Sequence, residues 1–77
     1  MISDIEIKRG EKMNLNLKFI KTKRKEKGYS LQYMAKALGL SNASQYYKYE
    51  IGYYKLKADM LPLLAKILNC NIENFFI

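Results

Sequence analysis

LGLSNASQYYKYEIG, residues 38–52, sets tyrosines, amides and hydroxyls between two glycines, with a glutamate near its end. None of these side chains offers obvious catalytic chemistry, so the question is what so polar a helix faces. Asn42 suits an N-cap, and Gln45 follows at the capping-box spacing. On a wheel of about 100° per residue, Tyr46 and Tyr49 lie about 60° apart and point one way. Ala43, Ser44, Tyr47 and Lys48 point the other way, with Gln45 on the border. Two tyrosines therefore read as core, their hydroxyls reaching the rim. The opposite face is small and hydrogen-bonding at one end and cationic at the other. Amide, hydroxyl and ammonium groups so placed can read base edges in a major groove.

The surrounding sequence is helical. Leu17 and Ile20 lie a turn apart, the basic run KTKRKEK follows, and Gly28 stops the first helix. Ser30 caps a second helix whose inner stripe is Leu31, Met34, Ala35 and Leu38. Gly39 ends it, and GLSN leads directly into the third. A short glycine-containing turn of this kind sets two helices across one another and leaves the second protruding. A fourth helix is expected from Ala58 to Leu68, with Ala58, Leu61, Leu64, Ala65 and Leu68 inward and Pro62 in its first turn. Asn71 then caps a fifth, IENFF, whose Ile72, Phe75 and Phe76 close the core. The pattern predicts five short helices and no core strand, an all-α domain over residues 15–77.

The first residues, MISDIEIKRGEK, give only a weak alternating signal. Arg9-Gly10-Glu11 can be encoded by a purine-rich GGAG stretch just before Met13. Residues 1–14 are therefore read as an N-terminal extension, and translation is expected to begin at Met13. A single native mass that includes Met1 would sink this reading. The alternative is a basic arm that reaches into a DNA groove.

Composition bounds the function. The chain has 77 residues, enough for one domain, with 14 Lys and Arg against 7 acids and a net charge of +7. Such a surplus attracts polyanions, nucleic acid first among them. The bland readings are a solubility surplus or, since lysine far outnumbers arginine, an AT-rich coding sequence. There is no histidine, no phosphate-cradling glycine loop and no metal-ligand spacing, so neither enzyme nor cofactor is expected. The lone Cys70 fits a reducing cytoplasm and reads as a small apolar residue. MLPLLA is too short to span a bilayer and no signal-peptide pattern precedes the domain, so a cytoplasmic, nucleoid-associated protein is expected.

The ordered series of motifs resembles the Cro/cI-type helix-turn-helix family of bacterial and phage repressors. It comprises Arg24, Gly28-Tyr29-Ser30, Met34-Ala35, Leu38-Gly39-Leu40-Ser41, Tyr46, Tyr49-Glu50 and Gly52. Leu61-Pro62, Leu64-Ala65-Lys66, Leu68 and NIENFF complete it, so the resemblance runs from Leu17 to Phe76. It implies a compact five-helix, lambda-repressor-like domain that puts residues 43–49 into the major groove of double-stranded DNA. By position it implies base-facing roles for Asn42, Ala43, Ser44, Gln45, Tyr47 and Lys48. Gln32, Tyr53, Tyr54, Lys55 and Lys57 would grip the sugar–phosphate backbone, and Arg24 and Glu50 would form a structural ion pair.

Three departures stand out. The span from Gly39 to Glu50 is one residue longer than in the commonest members, leaving the base-reading register open by one. Leu31 stands where many members carry a phosphate-contacting glutamine, and Lys23 where a leucine often packs. A homodimer, formed through Met60, Leu63 and Ile67 or only on DNA, is compatible with this pattern. The competing function is an antitoxin-like module that holds a partner protein. Single-stranded RNA stacking on the tyrosines is a third, opposed by the core roles of Tyr46 and Tyr49.

Overall fold

A computed structural model describes residues 15–76, so the N-terminal extension lies outside the described residues. Four α-helices follow one another: α1 (Leu17–Glu26), α2 (Leu31–Ala37), α3 (Ala43–Glu50) and α4 (Leu61–Leu68). Short 3-10 turns at Ala58–Met60 and Ile72–Phe75 flank α4.

The starts of the helices follow local hydrogen-bond chemistry. Asn16, Ser30 and Asn42 cap α1, α2 and α3, each side-chain oxygen accepting from the backbone N–H three residues on. Lys23, Arg24 and Lys25 in the last turn of α1 suit the negative end of its dipole.

Three helix ends share one device. Tyr29 and Gly28 donate to Arg24 and Lys25, Leu40 and Gly39 to Ala35 and Lys36, and Cys70 and Asn69 to Ala65 and Lys66. Each pair is the doubly bonded cap that needs a left-handed residue after the helix. Gly39 supplies it at φ 76° between α2 and α3, and Asn69 supplies it at φ 54° after α4.

Ile20, Met34, Tyr46, Leu64, Leu68 and Phe75 are the largest fully buried side chains, so every α-helix contributes to one core. α2 packs on α3 more extensively than any other pair of elements. Leu40, in the turn between them, packs against the core edge. The two ends of the described chain also meet. Leu15 forms an isolated antiparallel bridge with Phe76, Asn16 N–H donates to the Phe75 carbonyl at 2.6 Å, and Phe19 packs edge-on against Phe75.

Two expectations need correction. The fourth helix begins at Leu61, not Ala58, and Ala58 is exposed rather than inward. An α-helix from Ala58 would require Pro62 to donate to the Ala58 carbonyl, and proline has no N–H. Residues 58–60 therefore close a tighter turn, with Met60 N–H on the Lys57 carbonyl at 2.9 Å. The fifth helix is a 3-10 turn, so the described residues hold four α-helices and not five. Phe76 turns extended (φ −109°, ψ 143°) to reach its bridge with Leu15, which stops any helix at Phe75. Phe75 is fully buried, while Ile72 and Phe76 pack at the margin.

Candidate nucleic-acid interface

α3 is fastened from beneath by three polar side chains. Arg24 of α1 reaches Glu50 with two parallel bonds, Nε to Oε2 at 2.8 Å and Nη2 to Oε1 at 3.0 Å. Its remaining nitrogen donates to the Tyr29 carbonyl at 3.0 Å, and the Tyr46 hydroxyl donates to Glu50 Oε2 at 2.7 Å. Arg24 is 8% exposed and Glu50 5%, so the pair is buried, and each nitrogen of the guanidinium donates within the protein.

Titration follows from this arrangement. Burial, and then the bond to Glu50, push the Tyr46 hydroxyl far above its ordinary pKa of 10.0. The bond to Glu50 raises Arg24 against the opposing effect of burial. Arg24 and Glu50 are structural in this arrangement, and they fix the roll of α3 about its axis.

That roll decides what α3 shows to solvent. Tyr46 and Tyr49 are buried, while Asn42 and Ser44 are exposed and Tyr47 is 46% exposed. Ala43, Gln45 and Lys48 are half-buried. The cap assignment is settled: Asn42 Oδ1 accepts from Gln45 N–H at 2.8 Å, so Asn42 precedes a helix that begins at Ala43. Gln45 Oε1 does not reach back to the Asn42 backbone. It accepts from Ser41 N–H at 2.8 Å, one residue earlier, and so braces the turn that leads into α3. Both amide oxygens are thus committed internally, leaving their amide N–H groups as donors.

An open hollow of about 330 Å³ lies beside this face, lined by Ser41, Asn42, Ser44, Gln45, Lys48 and Tyr54. The loop after α3 forms its far wall. Tyr53 is 73% exposed and Tyr54 38%, with Lys55 and Lys57 exposed beyond them. Gln32 is exposed on α2 beside Tyr33, whose ring stacks on Tyr29 with centroids 4.5 Å apart. Lys18, Lys21, Lys25 and Lys27 of the basic run are exposed, whereas Lys23 is half-buried and lies 3.6 Å from Glu26.

Sequence reasoning missed two features. Ile51 is 55% exposed, and at about 100° per residue it lies about 20° from Ser44, on the same face. The wheel, carried one residue further, would have found it. The other is the placement of Lys48, whose ammonium lies 5.8 Å from the Tyr53 ring centroid and 5.6 Å from that of Tyr54. No helical periodicity signals a contact between a helix and its following loop.

No helix among the described residues is long and apolar enough to cross a membrane. No curated protein and no solved structure matches the chain. A family model described as helix-turn-helix matches residues 20–75, a span that takes in all of α2 and α3, the turn between them and both partners of the buried ion pair. The chain belongs to the Cro/cI-type helix-turn-helix family, whose members are DNA-binding proteins.

Proposed function

We propose that this protein is a sequence-specific double-stranded DNA-binding transcriptional regulator, a repressor of a phage, mobile-element or similar bacterial locus. The observation that carries the reading is the two-sidedness of α3. One side is locked into the core by Tyr46, Tyr49 and Glu50, and the other presents Ser44 and Tyr47 to solvent with the half-buried Lys48 beside them. A helix so held can enter a major groove without rotating, and its small N-terminal residues allow close approach. On this reading the exposed Lys55, Lys57 and Gln32 set register on phosphates, while α3 reads bases. With no arginine on α3, guanine clamping is weak and the site leans toward A·T or mixed composition.

The mechanism calls for neither catalysis nor a cofactor. It calls for location at the nucleoid and fits a homodimer on two half-sites about 34–36 Å apart. Leu63, 43% exposed on α4, is the most open residue of the apolar edge that would serve such a dimer.

The deciding experiment is a fluorescence-anisotropy titration of the duplex upstream of the protein's own gene against a scrambled duplex, over a salt series. Preference for the native duplex by about a thousandfold is the expected result for a specific binder. Equal, weak binding to both, present only at low salt, would overturn it and bring forward the antitoxin-like partner-holding reading.

A further inference from the structure

Lys48 does not extend freely from α3. Its ammonium lies 5.8 Å from the centroid of Tyr53 and 5.6 Å from that of Tyr54, within cation–π range of both. The two rings are themselves fixed. Tyr53 and Tyr54 pack at 5.4 Å, and Tyr54 leans edge-on against the buried Tyr49 at 5.3 Å. The Tyr54 N–H also donates to the Lys48 carbonyl at 3.1 Å. The clamp therefore joins the last turn of α3 to the loop through both backbone and side chains.

Lys48 also lines the hollow beside α3, and every side chain that shares it can donate a hydrogen bond. Asn42 Oδ1 and Gln45 Oε1 each already accept from a backbone N–H group, which leaves the amide N–H groups of these side chains as their unengaged donors. Ser41 and Ser44 add hydroxyls. One cation and several donors, with both amide oxygens already accepting a backbone bond, suit an anionic oxygen. An ammonium is a compact point charge and binds phosphate as such.

We propose that Lys48 meets a single phosphate of the DNA backbone at this hollow, and that Tyr53 and Tyr54 are positioning residues that act through it. The inference rests on the DNA-binding reading and assigns this lysine to backbone contact rather than base reading. A lysine already held in place loses less rotamer freedom on binding than a free one, which gives the two tyrosines a function without touching DNA.

The test uses the full chain, with the native upstream duplex and its scrambled counterpart. Lys48→Met is expected to weaken binding to both by the same factor, roughly eightfold at 0.1 M salt, and to flatten the salt slope by about 0.9. Tyr53→Leu is expected to weaken binding in the wild-type background and to add nothing to Lys48→Met, the non-additivity of residues acting as one unit. Tyr53→Phe with Tyr54→Phe keeps both rings and should bind as wild type. A loss confined to the native duplex would make Lys48 a base reader and overturn the proposal. So would a Tyr53→Leu effect that adds fully to Lys48→Met.

Tyr53 is the ring chosen for deletion because it is 73% exposed and its removal spares the Tyr49–Tyr54 packing. The clamp is also tested without DNA: the Lys48 side-chain protons should be shifted upfield by the rings in the free wild-type protein and revert in Tyr53→Leu. Unshifted protons would overturn the clamp itself. A shifted lysine in a protein that binds neither duplex would instead overturn the DNA reading, and the phosphate contact with it.

Discussion

Glu50 joins α3 to α1 at the centre of a buried polar group. Its two oxygens accept three hydrogen bonds, from Arg24 twice and from the Tyr46 hydroxyl. Glu50→Ala would leave a buried guanidinium without its counter-charge, and the expected loss is about 3–5 kcal/mol. For a domain of this size that is a large part of the whole stability. Replacing the group by an apolar set, Arg24→Met with Tyr46→Phe and Glu50→Leu, removes both buried charges and the buried hydroxyl together, leaves the part-buried Tyr29 carbonyl without its donor, and should recover most of the loss. Urea unfolding of the single and triple variants checks both; a triple variant as unstable as Glu50→Ala would show that the ion pair itself supplies net stability. The same site fixes a pH dependence. In the unfolded chain Tyr46 ionises near pH 10, whereas burial and the bond to Glu50 keep it protonated well above that in the fold. Its contribution is complete below pH 10 and is lost as pH rises beyond it. The wild type should therefore lose about 1.4 kcal/mol more than Tyr46→Phe on going from pH 9 to pH 11, the linkage value for one such group. Equal losses in the two proteins would mean that Tyr46 is not held neutral.

At the scale of elements, the turns and caps repeat one solution, which gives a clean comparison. Gly39 and Asn69 occupy the same left-handed position after α2 and α4. A Cβ at Gly39 would meet nothing within 4 Å, so Gly39→Ala tests backbone strain alone. Its expected cost is about 1–2 kcal/mol. Asn69→Ala should lose stability as well, less because asparagine already accepts part of that strain, while Asn69→Gly should be neutral or better. Denaturant midpoints of the three variants decide it, and a harmless Gly39→Ala would refute the strain argument. These elements also show how far the sequence could be read. Gly28, Gly39, Ser30 and Asn42 announce caps through local chemistry, and the tyrosine spacing of α3 names its buried side. The start of the fourth helix and the end of the chain were not legible in the same way. Pro62 suits a first turn by position, but its ring nitrogen cannot satisfy the Ala58 carbonyl, and apolar periodicity does not register a missing N–H. Phe76 belongs to a bridge with Leu15, a partner some sixty residues distant, and no local pattern carries that information. The Lys48 clamp is hidden for the same reason, since it depends on how the loop folds back.

At the scale of the molecule, two sets of side chains share the proposed interface and should separate in their effects. Lys55 and Lys57 are exposed in the loop after α3, with no ion-pair partner among the described residues. Their contribution to DNA binding is electrostatic and blind to sequence, so Lys55→Ala and Lys57→Ala should weaken the native and scrambled duplexes alike. Each should also flatten the slope of log affinity against log salt by about 0.9. Ser44 and Tyr47 stand on the exposed side of α3, opposite the buried tyrosines, and removing them leaves the core packing intact. Ser44→Ala and Tyr47→Ala should therefore leave the unfolding midpoint almost unchanged and preserve the salt slope. Their expected cost is about 1–3 kcal/mol on the native duplex only, the range of a lost base contact. Both sets sit on α3 and the loop that follows it, a scaffold fixed by the Arg24–Glu50 pair. A general disturbance of α3 would lower both kinds of binding together. If Ser44→Ala and Tyr47→Ala weakened both duplexes equally, α3 would not be reading bases, and the helix would serve only to carry a basic loop to the DNA.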